Sequence, residues 1–180
     1  MTTDIITRRL ILRAIHPELM TETLDLPMDQ QLDKFDLHSD KLLESELSRI
    51  RRVLTLRTSE YALWNIHLRD TSLYLGNIGI HTINTRHRRG EIGYYLNENQ
   101  RRKGYMSEAA KVVLNYGFEN LNLNRITAHV HPDNLPSRSI ILKLGFQKEG
   151  LLRQDYIQDG IISDSEIFGL LKSEYVTEAP

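Results

Sequence analysis

Apolar and polar positions along this chain recur in blocks whose period changes several times, and each block predicts an element. Residues 5–14 are rich in Ile and Leu around Arg8, Arg9 and Arg13, which suits a first strand. His16-Pro17-Glu18 breaks it, and residues 17–25 suit a short helix with Pro17 in its first turn. Residues 26–38 have little pattern and read as a loop holding at most a helical turn. Ser39 then caps a helix to about Arg57, on which Leu43, Leu47, Ile50 and Leu54 share a face. Tyr61–Leu68, Leu73–Ile83 and Gly90–Leu96 follow as strands. Their short polar connections make them an antiparallel meander. From Tyr105 to about Asn120 the period returns to helical, with Met106, Ala109, Ala110, Val113 and Tyr116 on one stripe. Arg125–Val130 is a short strand. Asn134 opens a helix with Pro136 in its first turn and Gly145 as its stop. Phe146–Ile157 and Ile161–Leu170 are strands around Asp159-Gly160, a favoured hairpin turn.

The order is strand, helices, three strands, helix, strand, helix, two strands. It predicts an α/β (α+β) fold: a mixed, mostly antiparallel seven-stranded sheet, about four helices and one central β-α-β crossover. No linker or repeat interrupts it, so residues 1–180 read as a single domain. A hydrophobic content of 40% and a charged content of 26% fit an ordinary globular chain. The net charge of −1 argues against a nucleic-acid module. With no cysteine there is no disulfide, thiolate metal site or cysteine nucleophile. His129 and His131 alternate and share a face, but two ligands without a third do not make a catalytic metal site, so no metal is expected. No apolar run approaches the ~20 residues of a membrane span. Thr7–Arg13 lacks the apolar core of a signal peptide, and a cytoplasmic location is the expectation. Trp64, the one tryptophan, reads as core or interface.

The richest chemistry lies in Asn99-Gln100-Arg101-Arg102-Lys103-Gly104-Tyr105-Met106-Ser107-Glu108. A strand precedes this basic loop and a helix follows it. Free N–H groups and the positive end of the helix dipole therefore meet three cations, a setting that suits a phosphorylated ligand. A solvated basic turn is the plainer alternative. Glu91 on its own reads as an exposed strand carboxylate beside Arg88 and Arg89. Asn134 with Ser137 is a pair that helix capping alone could produce.

Arg101-x-x-Gly104-x-Met106, in this element order, resembles the pyrophosphate loop of the GNAT superfamily of N-acetyltransferases, written Gln/Arg-x-x-Gly-x-Gly/Ala. Met106 departs from it, and its side chain must point away from the phosphates into the helix–sheet core. Glu91-Ile92-Gly93-Tyr94, Asn134-x-x-Ser137 and Lys143-Leu144-Gly145-Phe146 fall in the family's order. With the Asp159-Gly160 hairpin they look most like the RimJ/RimL branch, which acetylates protein N-termini such as those of ribosomal proteins.

The resemblance implies acetyl-CoA as cosubstrate. Backbone amides from Arg102 through Lys103, Gly104 and Tyr105 to Met106 would hold its diphosphate, with Arg101 in the same loop. Tyr94, Tyr95 and Leu96 would bind the pantetheine arm through their backbone, as an added strand does. Asn134 would bond the pantetheine end. Glu91 would serve as base. Ser137 would stand by the departing thiolate, since Ile141 occupies the position where many members carry a tyrosine acid. The acceptor is then a primary amine, most readily a protein N-terminal α-amino group. It would be selected by residues 20–60, with Asp25, Asp29, Asp33 and Asp36, and by the hairpin loop Tyr156–Ile161. A small-molecule amine (a polyamine, an antibiotic or an amino acid) and a non-catalytic acyl-CoA-binding module are the alternatives. Neither membrane nor nucleic-acid partners are expected, and a homodimer is left open.

Overall fold

The computed structural model describes residues 2–16, 26–34, 60–158 and 160–176, with Glu44, Leu47 and Ser48 as isolated helical positions. The helix expected over 17–25, most of the one expected from Ser39 to Arg57, and Asp159 of the hairpin turn lie outside these residues.

The apolar run 5–14 is not one strand. It folds back as β1 (Ile5–Ile6) and β2 (Leu10–Ala14), paired antiparallel with Ile5 opposite Leu12 and Ile6 opposite Ile11. Thr7 makes the bend: its N–H donates to the Leu10 carbonyl at 2.9 Å, and its Oγ1 accepts from the Leu10 N–H at 3.0 Å. A side chain that bonds its neighbouring backbone competes with the ladder, which is why Thr favours such turns. The sheet therefore has eight strands among the described residues rather than the seven expected.

Helix α1 (Met28–Lys34) occupies part of the segment read as loop. The meander is β3 (Ala62–Leu68), β4 (Tyr74–Asn84) and β5 (Arg89–Leu96). A short 3₁₀ turn, Glu98–Gln100, leads toward α2 (Tyr105–Asn115). The last helical turn, Tyr116–Asn120, is π rather than α, with the Leu121 N–H bonded to the Tyr116 carbonyl at 3.1 Å. Gly117 sits there because a Cβ would come within 2.5 Å of Ile80 Cδ1 and 2.8 Å of Ile126 Cδ1. The helix end thus lies hard against the sheet. β6 (Arg125–Val130), α3 (Leu135–Lys143), β7 (Gln147–Gln158) and β8 (Ile161–Leu171) complete the chain, close to their expected bounds.

The strand order is β1-β2-β3-β4-β5-β6-β8-β7. The β5–β6 pair is parallel and carries the β-α-β crossover, while β2–β3, β6–β8 and β7–β8 are antiparallel. β7 is an edge strand, and its pairing to β8 slips between Lys148 and Gly150 and again between Leu152 and Tyr156. Gln154, inside the second slip, has φ of +55°.

The chain falls into two compact units. The first comprises Met1–Gly79 and Tyr94–Ala109, the second Ile80–Gly93 and Ala110–Pro180. Leu10, Leu12, Trp64, Ile66 and Leu75 are fully buried in the first. Trp64 also donates its Nε1–H to the Thr3 carbonyl at 2.8 Å. In the second unit Phe118, Leu123, Ile126, Phe168 and Leu170 are fully buried. No helix among the described residues is long and apolar enough to cross a membrane.

Candidate active site

In the first unit the basic loop leaves β5 and enters α2 with Arg101, Arg102, Lys103 and Gly104 all exposed. Two of them are in the left-handed region, Arg102 at φ +64° and Gly104 at +79°. Gly104 suits its position because L side chains avoid that region. The first bond of the following helix runs from the Glu108 N–H to the Gly104 carbonyl at 3.1 Å. The amides just before Glu108 thus belong to the turn that has no intrahelical acceptor. Met106 is 4% exposed, so its side chain does turn inward, as the departure from Gly/Ala required.

Bonds among neighbours set the cations of the loop. Arg101 Nε donates to the Leu96 carbonyl at 3.1 Å and Nη1 lies 3.4 Å from Glu98 Oε1. Lys103 Nζ donates to Gln100 Oε1 at 2.9 Å. Tyr94, Tyr95 and Leu96 are half-buried. Gly76 of β4 lies so close to β5 that a Cβ there would come within 2.9 Å of Leu96 Cα and closer still to the Tyr95 carbonyl oxygen.

One residue that sequence reasoning passed over braces this loop. Arg9, in the bend between β1 and β2, donates its Nη1–H to the Lys103 carbonyl at 3.0 Å and holds its guanidinium carbon 4.7 Å from the centre of the Tyr105 ring. Its Nε donates to Glu108 Oε2 at 2.7 Å and its backbone N–H to Glu108 Oε1 at 2.9 Å. Thr7 Oγ1 donates to the same Oε1 at 2.6 Å. Burial raises the pKa of this carboxyl, but the bonds from Thr7 and Arg9 and the Arg9 charge outweigh it and leave the pKa below the ordinary carboxylate value. Nothing local in the sequence signals this cluster, whose members are 99 residues apart.

In the second unit Glu91 is half-buried on β5. Its neighbour is not one of the arginines proposed for it. Arg88 turns to Asn122, donating to that residue's carbonyl and side-chain oxygens at 2.7 Å each. Instead His81 Nε2 lies 4.0 Å from Glu91 Oε1. The imidazole passes beside Gly93, where a Cβ would come within 3.0 Å of Nε2. His81 is a second residue to which the sequence analysis gives no role. A glycine two residues after the glutamate was the available signal.

The β5–β6 ladder pairs Arg89 with Arg125, Gly90 with Ile126 and Glu91 with Thr127. Its register ends there, although β5 runs on to Leu96 and β6 to Val130. Glu91 thus stands at the last paired position. Asn134 does cap α3: its Oδ1 accepts from the Ser137 N–H at 3.1 Å, with Pro136 in the first turn. The cap ties Asn134 and Ser137 together, whatever else they bind. His129 Nδ1 lies 3.6 Å from Asp155 Oδ2 and His131 Nδ1 4.0 Å from Asp133 Oδ2. Among the described residues no three side chains are grouped to hold a metal ion. Of the acidic residues expected to select the acceptor, Asp29 is exposed on α1, while Asp25 and Asp36 lie outside the described residues.

Over residues 9–147 the chain matches one family model, that of the acetyltransferase (GNAT) domain. The chain belongs to the GNAT acetyltransferase family. GNAT acetyltransferases draw their acetyl group from acetyl-CoA, and the chain is an N-acetyltransferase of this kind. It is 36% identical to the N-acetyltransferase YoaA of Bacillus subtilis over 168 residues, 92% of this chain and 95% of that one. It is 30% identical to the spermidine N(1)-acetyltransferase of Escherichia coli over 103 residues, 57% of this chain and 55% of that one. Among solved structures it superposes on a putative ribosomal-protein-serine acetyltransferase from Vibrio cholerae with a TM-score of 0.69 and 25% identity, covering 95% of this chain and 99% of the other. The expected GNAT fold is therefore found, with one strand more than expected among the described residues.

Proposed function

We propose that this GNAT enzyme acetylates a protein N-terminal α-amino group of the ribosomal-protein type. The observation that carries the reading is the structural match to the putative ribosomal-protein-serine acetyltransferase from Vibrio cholerae over nearly the whole of both chains. The chain is also 30% identical to the Escherichia coli spermidine N(1)-acetyltransferase over 57% of its length, and this supports polyamine acetylation as the second reading.

The loop residues Arg102, Lys103, Gly104, Tyr105 and Met106 offer backbone amides to the diphosphate of acetyl-CoA, with Arg101 beside them. The exposure of Arg102, Lys103 and Gly104 and the φ of Gly104 support this role. The backbone of Tyr94, Tyr95 and Leu96 pairs with the pantetheine arm. Asn134 donates its side-chain amide to the same arm while its oxygen keeps the helix cap.

Acetyl transfer is direct, from thioester to amine in a ternary complex; no cysteine exists to form an acetyl-enzyme. The ammonium of the acceptor must first lose a proton, and Glu91 takes it, directly or through a water. Backbone amides of β5 polarise the thioester carbonyl. The nitrogen lone pair attacks the carbonyl carbon, the second proton of the amine nitrogen passes to solvent water as the amide forms, the C–S bond breaks, and the thiolate leaves with a hydrogen bond from Ser137. With an unperturbed thiol pKa of about 8.5, it needs no stronger acid.

The test is an acetylation panel of purified ribosomal proteins against spermidine, amino acids and aminoglycosides, read by mass spectrometry. One acetyl group at a protein N-terminus, with kcat/KM well above that of any small amine, is the expected result. Faster transfer to spermidine than to every protein would assign the second reading.

A further inference from the structure

We infer that Arg9 is a positioning residue for the diphosphate of coenzyme A, acting through the Lys103–Gly104 peptide. The inference rests on the diphosphate reading of the loop given above. A peptide unit is planar, and its C=O and N–H point in opposite directions. By binding the Lys103 carbonyl at 3.0 Å, Arg9 Nη1 fixes the plane of that peptide and so turns the Gly104 N–H to the opposite side, where the diphosphate would lie.

The same guanidinium covers the Tyr105 ring and places Nη2 3.4 Å from where a Gly104 Cβ would stand. The residues on either side of Gly104, Lys103 and Tyr105, are thus held by one side chain. Arg9 has a second effect, through charge. Glu108 sits in the first turn of α2, and a bare carboxylate so near would repel an incoming diphosphate. Arg9 neutralises it at 2.7 Å and leaves the helix N-terminus net attractive. Lysine cannot replace it, because only the planar fork serves a carbonyl, a carboxylate and a ring together.

The readout is a pair of dissociation constants, for coenzyme A and for pantetheine, which lacks the diphosphate, measured by calorimetry on the whole chain. Arg9→Ala should weaken coenzyme A about tenfold, the worth of one lost positioning bond, and leave pantetheine within about twofold. Arg9→Lys should recover less than half of the loss. Thr7→Val, which removes a bond to Glu108 but spares Arg9, should lower the unfolding midpoint and leave the ratio of the two constants unchanged. Equal weakening of both ligands by Arg9→Ala, or full rescue by Arg9→Lys, would overturn the role of Arg9. Wild-type chain that binds both ligands equally would refute the diphosphate reading itself, and the inference with it.

Discussion

Replacing Gly76 with alanine should force β4 and β5 apart at the segment proposed to bind pantetheine. Gly76 has φ of +151°, which alanine rarely adopts. Its new Cβ would meet backbone, with Leu96 Cα at 2.9 Å and the Tyr95 carbonyl oxygen closer still. Ordinary contact begins near 3.4 Å, so β5 must move by at least half an ångström. Side-chain rotation cannot absorb the strain, because both atoms belong to the main chain. Overpacking of this kind costs about 1–3 kcal/mol. The shift also strains the bond from the Asn97 N–H to the Leu75 carbonyl, now 2.8 Å, worth about 1 kcal/mol. Together they remove roughly 3 kcal/mol of the ~5–15 kcal/mol typical of a folded domain. For a chain of this size the midpoint should fall by about 6–12 °C. Thermal unfolding by circular dichroism measures it, and calorimetry with acetyl-CoA should show weaker binding in the variant that remains folded at 20 °C. A midpoint within about 2 °C of wild type would refute the reasoning.

Glu91→Gln should lower kcat at neutral pH about a hundredfold or more and leave the KM for acetyl-CoA within about twofold, since it removes a base and no cofactor contact; unchanged turnover in initial-rate assays across pH would exclude Glu91. Asn134→Ala should cost about 1 kcal/mol through the lost cap and also raise the KM for acetyl-CoA; a thermal defect with normal KM would leave Asn134 as a cap only. Glu108 has a lowered pKa in the fold, so its contribution is fully present above its ordinary value of 4.5 and is lost as pH falls through the folded value. Urea unfolding should therefore show wild type losing its advantage over Glu108→Gln as the pH is lowered below 4.5, and a difference that stays constant through acid would count against the ionised cluster.

The elements whose signals are local were readable from the sequence, and those set by distant partners were not. Asn134, Pro136 and Gly145 marked α3 because caps and stops depend on a few adjacent residues. Met106 could be sent inward because the helical stripe of Ala109, Ala110 and Val113 demanded it. The bend at Thr7 escaped notice, since Ile5–Ala14 reads as one apolar run and only the Thr7–Leu10 bonds and the pairing of Ile6 with Ile11 reveal the fold-back. The π turn at Tyr116–Asn120 escaped for a similar reason: Gly117 within it packs against Ile80 and Ile126, which lie far off in sequence. At the site, loop composition pointed to Arg101–Met106. The bracing of that loop by Arg9 and Glu108, and the placing of His81 beside Glu91, depend on chain crossings that no window of sequence contains.

The two slips in β7 have a consequence for how this chain behaves in a crowded solution. β7 ends the sheet and carries Ile157 near its tip, opposite Ile162 of β8 and close to Ile161, all three exposed. A straight border of that kind would be a template on which further chains add, strand upon strand. Here the offsets after Lys148 and Leu152, and the left-handed turn at Gln154, break the border into short pieces whose amide spacing no regular strand can copy. The irregularity guards against fibrous growth, and a deletion that straightened it would be expected to trade a discrete enzyme for an aggregating one.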